Sequence, residues 1–137
     1  MQDSAANCGP ASLSNALAAM GITRSQKECE ALCKTSATEG TSIRGLLTGI
    51  KAVGRTPTVL NERRFDVAHT FLRHYLGNGR AAILAVDTSE HWVAAIGLLG
   101  PHVLIADPAD NEFILTYAAD HLKVRWIANN RYYGVIL

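Results

Sequence analysis

Cysteine is scarce in this chain, and its count is odd: 3 in 137 residues. So few thiols, unpaired in number, exclude a disulfide framework and fit reduced side chains in a cytosol. Charge of one sign is lacking too. The 13 Lys and Arg against 12 Asp and Glu leave a formal net charge of +1, which gives no field to draw nucleic acid or an anionic membrane. No run approaches the roughly 20 apolar residues that span a bilayer. No charged stretch followed by an apolar one marks a secretory signal. Internal repeats, linkers, low-complexity tracts and a phosphate-binding glycine loop are absent as well. What remains is an ordinary globular composition, 48% hydrophobic, and a length that suits one domain, 1–137, with a core of its own.

Helical spacing fills the first half. Leu13, Ala16, Leu17 and Met20 recur at i, i+3, i+4 and i+7, with Gly21 as a stop. Ser25 and Glu28 form a capping box for a second helix, with Cys29, Leu32 and Cys33 on one face. Thr41 or Ser42 caps a third, whose stripe is Ile43, Leu46, Leu47 and Ile50. A fourth runs from Phe65 to Leu76, with Val67, Phe71, Leu72 and Tyr75 expected inward. The second half reads as strands: "RAAILAVD", then "HWVAAIGLL" and "HVLIADP" as a hairpin around Gly100 and Pro101, then "EFILT" and "RYYGVIL". A short helix near Tyr117–Leu122 separates the last two. Helices first and strands later predict an α+β fold, with helices packed on an antiparallel sheet.

Cys8 stands at the start of the first helix. The positive end of a helix dipole and its unpaired N–H groups favour thiolate over thiol, which makes a better nucleophile. Attack on a carbonyl also needs a base, a group that orients the base, and donors for the oxyanion. Gln2 can supply an amide N–H beside the backbone N–H of Cys8. Gly9 leaves room for a substrate backbone. His91 opens a strand and is the candidate base. Asp107 closes the next strand before Pro108, and a hairpin brings both to one end, where a carboxylate can set the imidazole tautomer.

With those residues, the chain resembles the papain-like cysteine peptidases of the C39 type, which process bacteriocins. The matching pieces are Gln2 through "NCGPASL", "TSIRGLLTGIKAVG", "AAILAVDTSEHWVAAIG", "VLIADPA" and "ADHLKVRW", in family order over nearly the whole chain. The resemblance implies an N-terminal helical lobe packed on a C-terminal antiparallel sheet lobe, with a cleft between. It makes Cys8 the nucleophile, Gln2 the oxyanion residue, His91 the base and acid, and Asp107 the orienter. It implies cleavage after a Gly-Gly pair by a channel that excludes side chains, and neither a metal nor a cofactor. Asn7 departs from the acidic residue that often precedes the family's cysteine. The family's usual transporter and ATPase are missing, and the start so close to Gln2 points to a domain of a longer chain. A stand-alone domain of this kind resembles papain-like toxin modules, which are delivered from a producing bacterium into a target cell's cytoplasm and are blocked by an immunity protein. The alternatives are a leader-processing peptidase of an export system, a papain-like acyltransferase, and a silent peptide-binding module.

The remaining polar and aromatic residues read as structure. Cys29 and Cys33 fit core packing better than a metal pair. Trp92 is the candidate for a cleft wall, against the alternative of a half-buried aromatic. Trp126 reads as core. His69 and His74 lie on a half-polar helix and read as solvated, His102 and His121 lack evident partners, and Glu62, Arg63 and Arg64 form a solvated charge cluster.

Overall fold

The structure is a computed structural model and describes residues 8–34, 41–88, 91–109 and 114–137. Among these residues, five helices and seven strands follow in the order α1 (Cys8–Ala19), α2 (Gln26–Cys33), α3 (Ile43–Ala52), β1 (Thr58–Glu62), α4 (Phe65–Gly77), β2 (Ala82–Val86), β3 (His91–Leu99), β4 (His102–Ala106), β5 (Leu115–Tyr117), α5 (Ala119–Trp126), β6 (Ile127–Ala128) and β7 (Arg131–Ile136). The α+β class read from the sequence is the class observed. Every strand pairing is antiparallel, in the order β1-β7-β2-β3-β4-β5, with β6 paired to β7.

Local chemistry explains most boundaries. Ser25 and Glu28 close a reciprocal capping box on α2, and the Ser42 side chain accepts the Gly45 N–H at the start of α3. Gly21, at φ +81°, ends α1 in a conformation that suits glycine. Asn129 and Asn130, both at positive φ, form the two-residue turn between β6 and β7.

The sheet is covered on both faces. Leu13, Ala16 and Leu17 of α1 pack with Cys29, Cys33, Leu46 and Ile50 of α2 and α3 against Ile83, Ala94, Ala106 and Val135. On the other face, Ala68, Leu72 and Leu76 of α4 and Leu122 and Trp126 of α5 pack against Leu84, Val86, Val93, Ala95, Val103 and Ile105. Ile83 and Leu84 fall on opposite sides, as the two-residue period of a strand requires. With both faces dry, β2 is buried at all five positions, which is why it reads as a continuous apolar run. A bulge between Ala95 and Gly97 shifts the β3–β4 register. It lets Leu98 join the α4 side while Ile96 stays on the α1 side.

Three expectations shift. The strand β1 breaks the order of helices first and strands later. It sits on the sheet edge with only Leu60 fully buried, so it carries too little apolar pattern to stand out. The buried stripe of α4 is Ala68, Leu72 and Leu76. Phe71, expected inward, is 44% exposed beside the likewise exposed Val59, because the helix turns its small Ala68 to the sheet. The short helix expected near Tyr117–Leu122 begins at Ala119 and continues to Trp126. Of "EFILT", Leu115 and Thr116 lie in β5, while Glu112 and Phe113 fall outside the described residues.

Candidate active site

Small side chains set α1 deep in the molecule. The first six residues, "CGPASL", are all buried, so the helix start lies against β3 with few atoms between. Gly9 makes this possible. A Cβ at this position would come within 2.6 Å of the Thr41 Cβ and 2.9 Å of its Oγ1. The room that Gly9 leaves is therefore filled by Thr41. Ser12, one turn after Cys8, is fully buried and donates to the Trp92 carbonyl at 2.9 Å. Trp92 is half-buried, and its ring Nε1–H donates to the Thr41 carbonyl at 3.2 Å. It thus joins α1, β3 and the start of α3.

Cys8, His91 and Asp107 meet at one end of the sheet. His91 is the first residue of β3 and pairs with Val86, the last of β2. Asp107 directly follows β4. The His91 Nε2–H donates to Asp107 Oδ1 at 2.6 Å, and their side chains are only 14% and 6% exposed. The Cys8 side chain and the His91 ring lie close enough that each shifts the other's titration toward its charged form. With Nε2 engaged by the carboxylate, Nδ1 is the nitrogen left for sulfur. Gln2 lies outside the described residues.

Electrostatics follow from these contacts. Burial raises the Cys8 thiol, but the His91 hydrogen bond and the backbone N–H groups of Trp92 and Gly9 outweigh it, so the thiol lies below its ordinary value. Burial opposes the His91 charge, yet Asp107 and Cys8 lift the imidazole to about 9. Burial would raise Asp107. Bonds from His91, the Ala109 N–H and Arg125 instead hold it well below the usual carboxylate range. The cluster can therefore hold a thiolate beside an imidazolium, with an ionised carboxylate behind them.

Arg125 was not singled out from the sequence. Its Nη2 lies 2.8 Å from Asp107 Oδ2, its Nη1 donates to Tyr117 Oη at 2.7 Å, and its Nε and Nη2 reach both oxygens of Asp87. A basic residue in the last turn of α5 reads locally as a complement to the helix dipole. Only the tertiary fold places it behind the carboxylate.

Cys29 and Cys33 belong to the core beneath α1. Among the described residues, no group of three His, Cys, Asp or Glu side chains could hold a metal ion, and no helix is long and apolar enough to cross a membrane.

The Peptidase_C39 like family matches residues 1–133. No curated relative matches the sequence. Among solved structures, the peptidase domain of Streptococcus ComA, a bi-functional ABC transporter of a quorum-sensing pathway, is similar at TM-score 0.71 and 18% identity, covering 98% of this chain and 92% of that one. A double glycine motif protease from an AMS/PCAT transporter, in complex with its leader peptide, is similar at TM-score 0.72 and 18% identity, over 98% and 86% of the two chains. The peptidase domain of Streptococcus mutans ComA aligns at TM-score 0.61 and 17% identity, over 96% and 91%. The fold is that of C39 peptidase domains.

Proposed function

Since the chain belongs to the Peptidase_C39 like family, we propose that it is a thiol endopeptidase that cuts a peptide after a Gly-Gly pair. Cys8 is the nucleophile, His91 the acid and base, Asp107 the orienter of His91, and Gln2 with the Cys8 backbone N–H the oxyanion donors. What carries this reading is the bond from His91 to Asp107 Oδ1 at 2.6 Å, with Cys8 near enough to the same ring for its thiol to be lowered by it. A peptide substrate is supported by the leader peptide bound to the similar AMS/PCAT protease.

The thiolate adds to the scissile carbonyl, and the oxygen takes the negative charge between its donors. His91, protonated in the ion pair, gives its proton to the leaving amine as the C–N bond breaks. The acyl group is left on sulfur as a thioester. Neutral His91 then takes a proton from water, the resulting hydroxide attacks, and the thiolate leaves as the acid is released. Asp107 keeps Nε2 protonated, so Nδ1 always serves the sulfur side.

The test is mass spectrometry of a leader-type peptide with an internal Gly-Gly, incubated with the protein and with Cys8→Ala. Scission after the second glycine, lost in a folded Cys8→Ala variant, is the expected result. An intact peptide that stays bound would instead mean a binding module. A product carrying an added amine or thiol would mean an acyltransferase. Cleavage of folded bacterial proteins with leader peptides left whole would move the target to that of an effector.

A further inference from the structure

We propose that Arg125 is a positioning residue for this chemistry: its guanidinium grips Asp107 from behind and ties it to Asp87, so the carboxylate and the turn that delivers His91 are held by one side chain. The inference rests on the reading of His91 and Asp107 as the base and its orienter.

The geometry is that of a junction. Nε and Nη2 of Arg125 contact Asp87 Oδ1 and Oδ2 at 3.0 and 2.8 Å. The Asp87 backbone N–H returns a bond to the Arg125 carbonyl at 3.0 Å. The end of β2 and the last turn of α5 are thus joined through both side chain and main chain. Asp87 and Thr88 are both left-handed, at φ 52° and 59°. Such conformations in residues other than glycine persist when the surroundings hold them, and at Asp87 the bonds from Arg125 provide that hold. His91 enters its strand just beyond this turn. From the same guanidinium, Nη2 reaches Asp107 Oδ2 at 2.8 Å, while Asp107 Oδ1 takes the Ala109 N–H at 3.0 Å and the His91 ring at 2.6 Å. A carboxylate turns easily about its last torsion. Here any turn breaks a bond on one side or the other, so one oxygen stays aimed at the imidazole.

Charge gives the role a signature that packing would not. Among the described residues, the ionisable groups around His91 are Cys8 from α1, Asp107 beyond β4, Asp87 at the end of β2 and, bonded to both carboxylates, Arg125 from α5, whose other partner is Tyr117 of β5. They alternate in sign: Asp87, Arg125, Asp107, His91, Cys8. Removing the guanidinium takes away a cation, which alone would raise the His91 titration, but it also frees Asp107 to turn from the ring, and losing that lifting bond lowers it. Removing the Asp87 charge lowers it.

The test uses the full chain with Arg125→Gln, Arg125→Lys and Asp87→Asn. His91 is titrated by NMR of its ring, and kcat and KM are measured on a Gly-Gly peptide. Asparagine accepts the left-handed conformation at position 87, and the Asp87 side chain is 48% exposed, so Asp87→Asn keeps the fold even if Arg125→Gln loses it. The His91 midpoint is expected to fall by about one pH unit in Arg125→Gln, where Asp107 is released, by less in Asp87→Asn, where Arg125 still holds Asp107, and to recover in part in Arg125→Lys. In Arg125→Gln, kcat should drop roughly ten- to a hundredfold at nearly constant KM, with partial recovery in Arg125→Lys. A midpoint that is unmoved or rises in Arg125→Gln, or that falls as far in Asp87→Asn, overturns the proposal. If the unaltered protein leaves the peptide whole while the midpoint still falls further in Arg125→Gln than in Asp87→Asn, the peptidase reading fails and the positioning stands.

Discussion

A short pulse of iodoacetamide on the folded protein at pH 7 should label Cys8 well ahead of Cys29 and Cys33. Burial, with the Glu28 charge adding and Arg24 opposing, pushes the Cys29 thiol up to about 11. Burial and the neighbouring Cys29 push Cys33 up to about 12. Cys8 lies below 9.0. Taking 9.0 as a bound, its thiolate fraction at pH 7 exceeds that of Cys29 by about a hundredfold and that of Cys33 by about a thousandfold. A less basic thiolate is a weaker nucleophile, and a Brønsted slope of about 0.4–0.5 removes roughly six- to tenfold over a gap of about two units. The net preference for Cys8 over Cys29 is still about tenfold or more, and it is larger against Cys33. Access adds to it, since Cys8 is 8% exposed while Cys29 and Cys33 are 0% and 2%. Peptide mapping by mass spectrometry after timed quenching reads the three rates separately. Equal labelling of Cys8 and Cys29 would refute the reasoning, because it would mean that the bonds to His91 and the backbone do not offset burial at Cys8.

Three other expectations concern pH and packing. Peptide cleavage should follow a bell-shaped profile, with its acid limb set by the lowered Cys8 thiol and its alkaline limb near 9, where His91 loses its proton. Stability should change with the same proton: the folded imidazole titrates above its unfolded value, so its contribution is complete below about 6.5 and is lost as pH rises through about 9. Urea midpoints measured at pH 6 and pH 9.5 should fall accordingly, and a flat series would contradict the ion pair. Gly9→Ala should lower the melting temperature despite alanine's better helix propensity. That propensity gains about 1 kcal/mol, while a Cβ at 2.6 Å from Thr41 overpacks the site at a cost of about 1–3 kcal/mol. A melting temperature that rises would show that Thr41 moves aside at little cost.

The helices were legible where their ends carry chemistry. The Ser25–Glu28 pair reads directly as a capping box, and "RAAILAVD" reads as a buried strand because both of its faces are dry. The nearness of His91 and Asp107 was legible from a hairpin whose turn is marked by Gly100 and Pro101, whereas joining Cys8 to them rested on the family resemblance. What escaped was set by neighbours distant in sequence. The edge strand β1 has one side without a strand partner and a mixed pattern. The face of α4 depends on which residues the sheet accepts, and the sheet took Ala68 where the larger Phe71 had the stronger apolar signal. Arg125 needs three partners from three different elements before its position means anything, and no local spacing encodes that.

The three thiols also separate the effect of burial from the effect of partners. Each is buried, and for each burial alone raises the thiol. Cys29 and Cys33 sit four residues apart on α2 among aliphatic side chains, where the charge of Arg24 only partly offsets burial at Cys29 and the two sulfurs would repel each other. Cys8 differs because the strand end across from its helix supplies a ring nitrogen from His91 and an N–H from Trp92. Those donors are present only because β3 starts where it does, and Ser12, bonded to the Trp92 carbonyl, fixes that start against α1. The helix start supplies only the Gly9 N–H, the smallest of these effects. The reactivity of Cys8 is therefore a property of the α1–β3 contact more than of the helix terminus. Substitutions that loosen the contact should raise the thiol toward the values of its buried neighbours while leaving the helix itself in place.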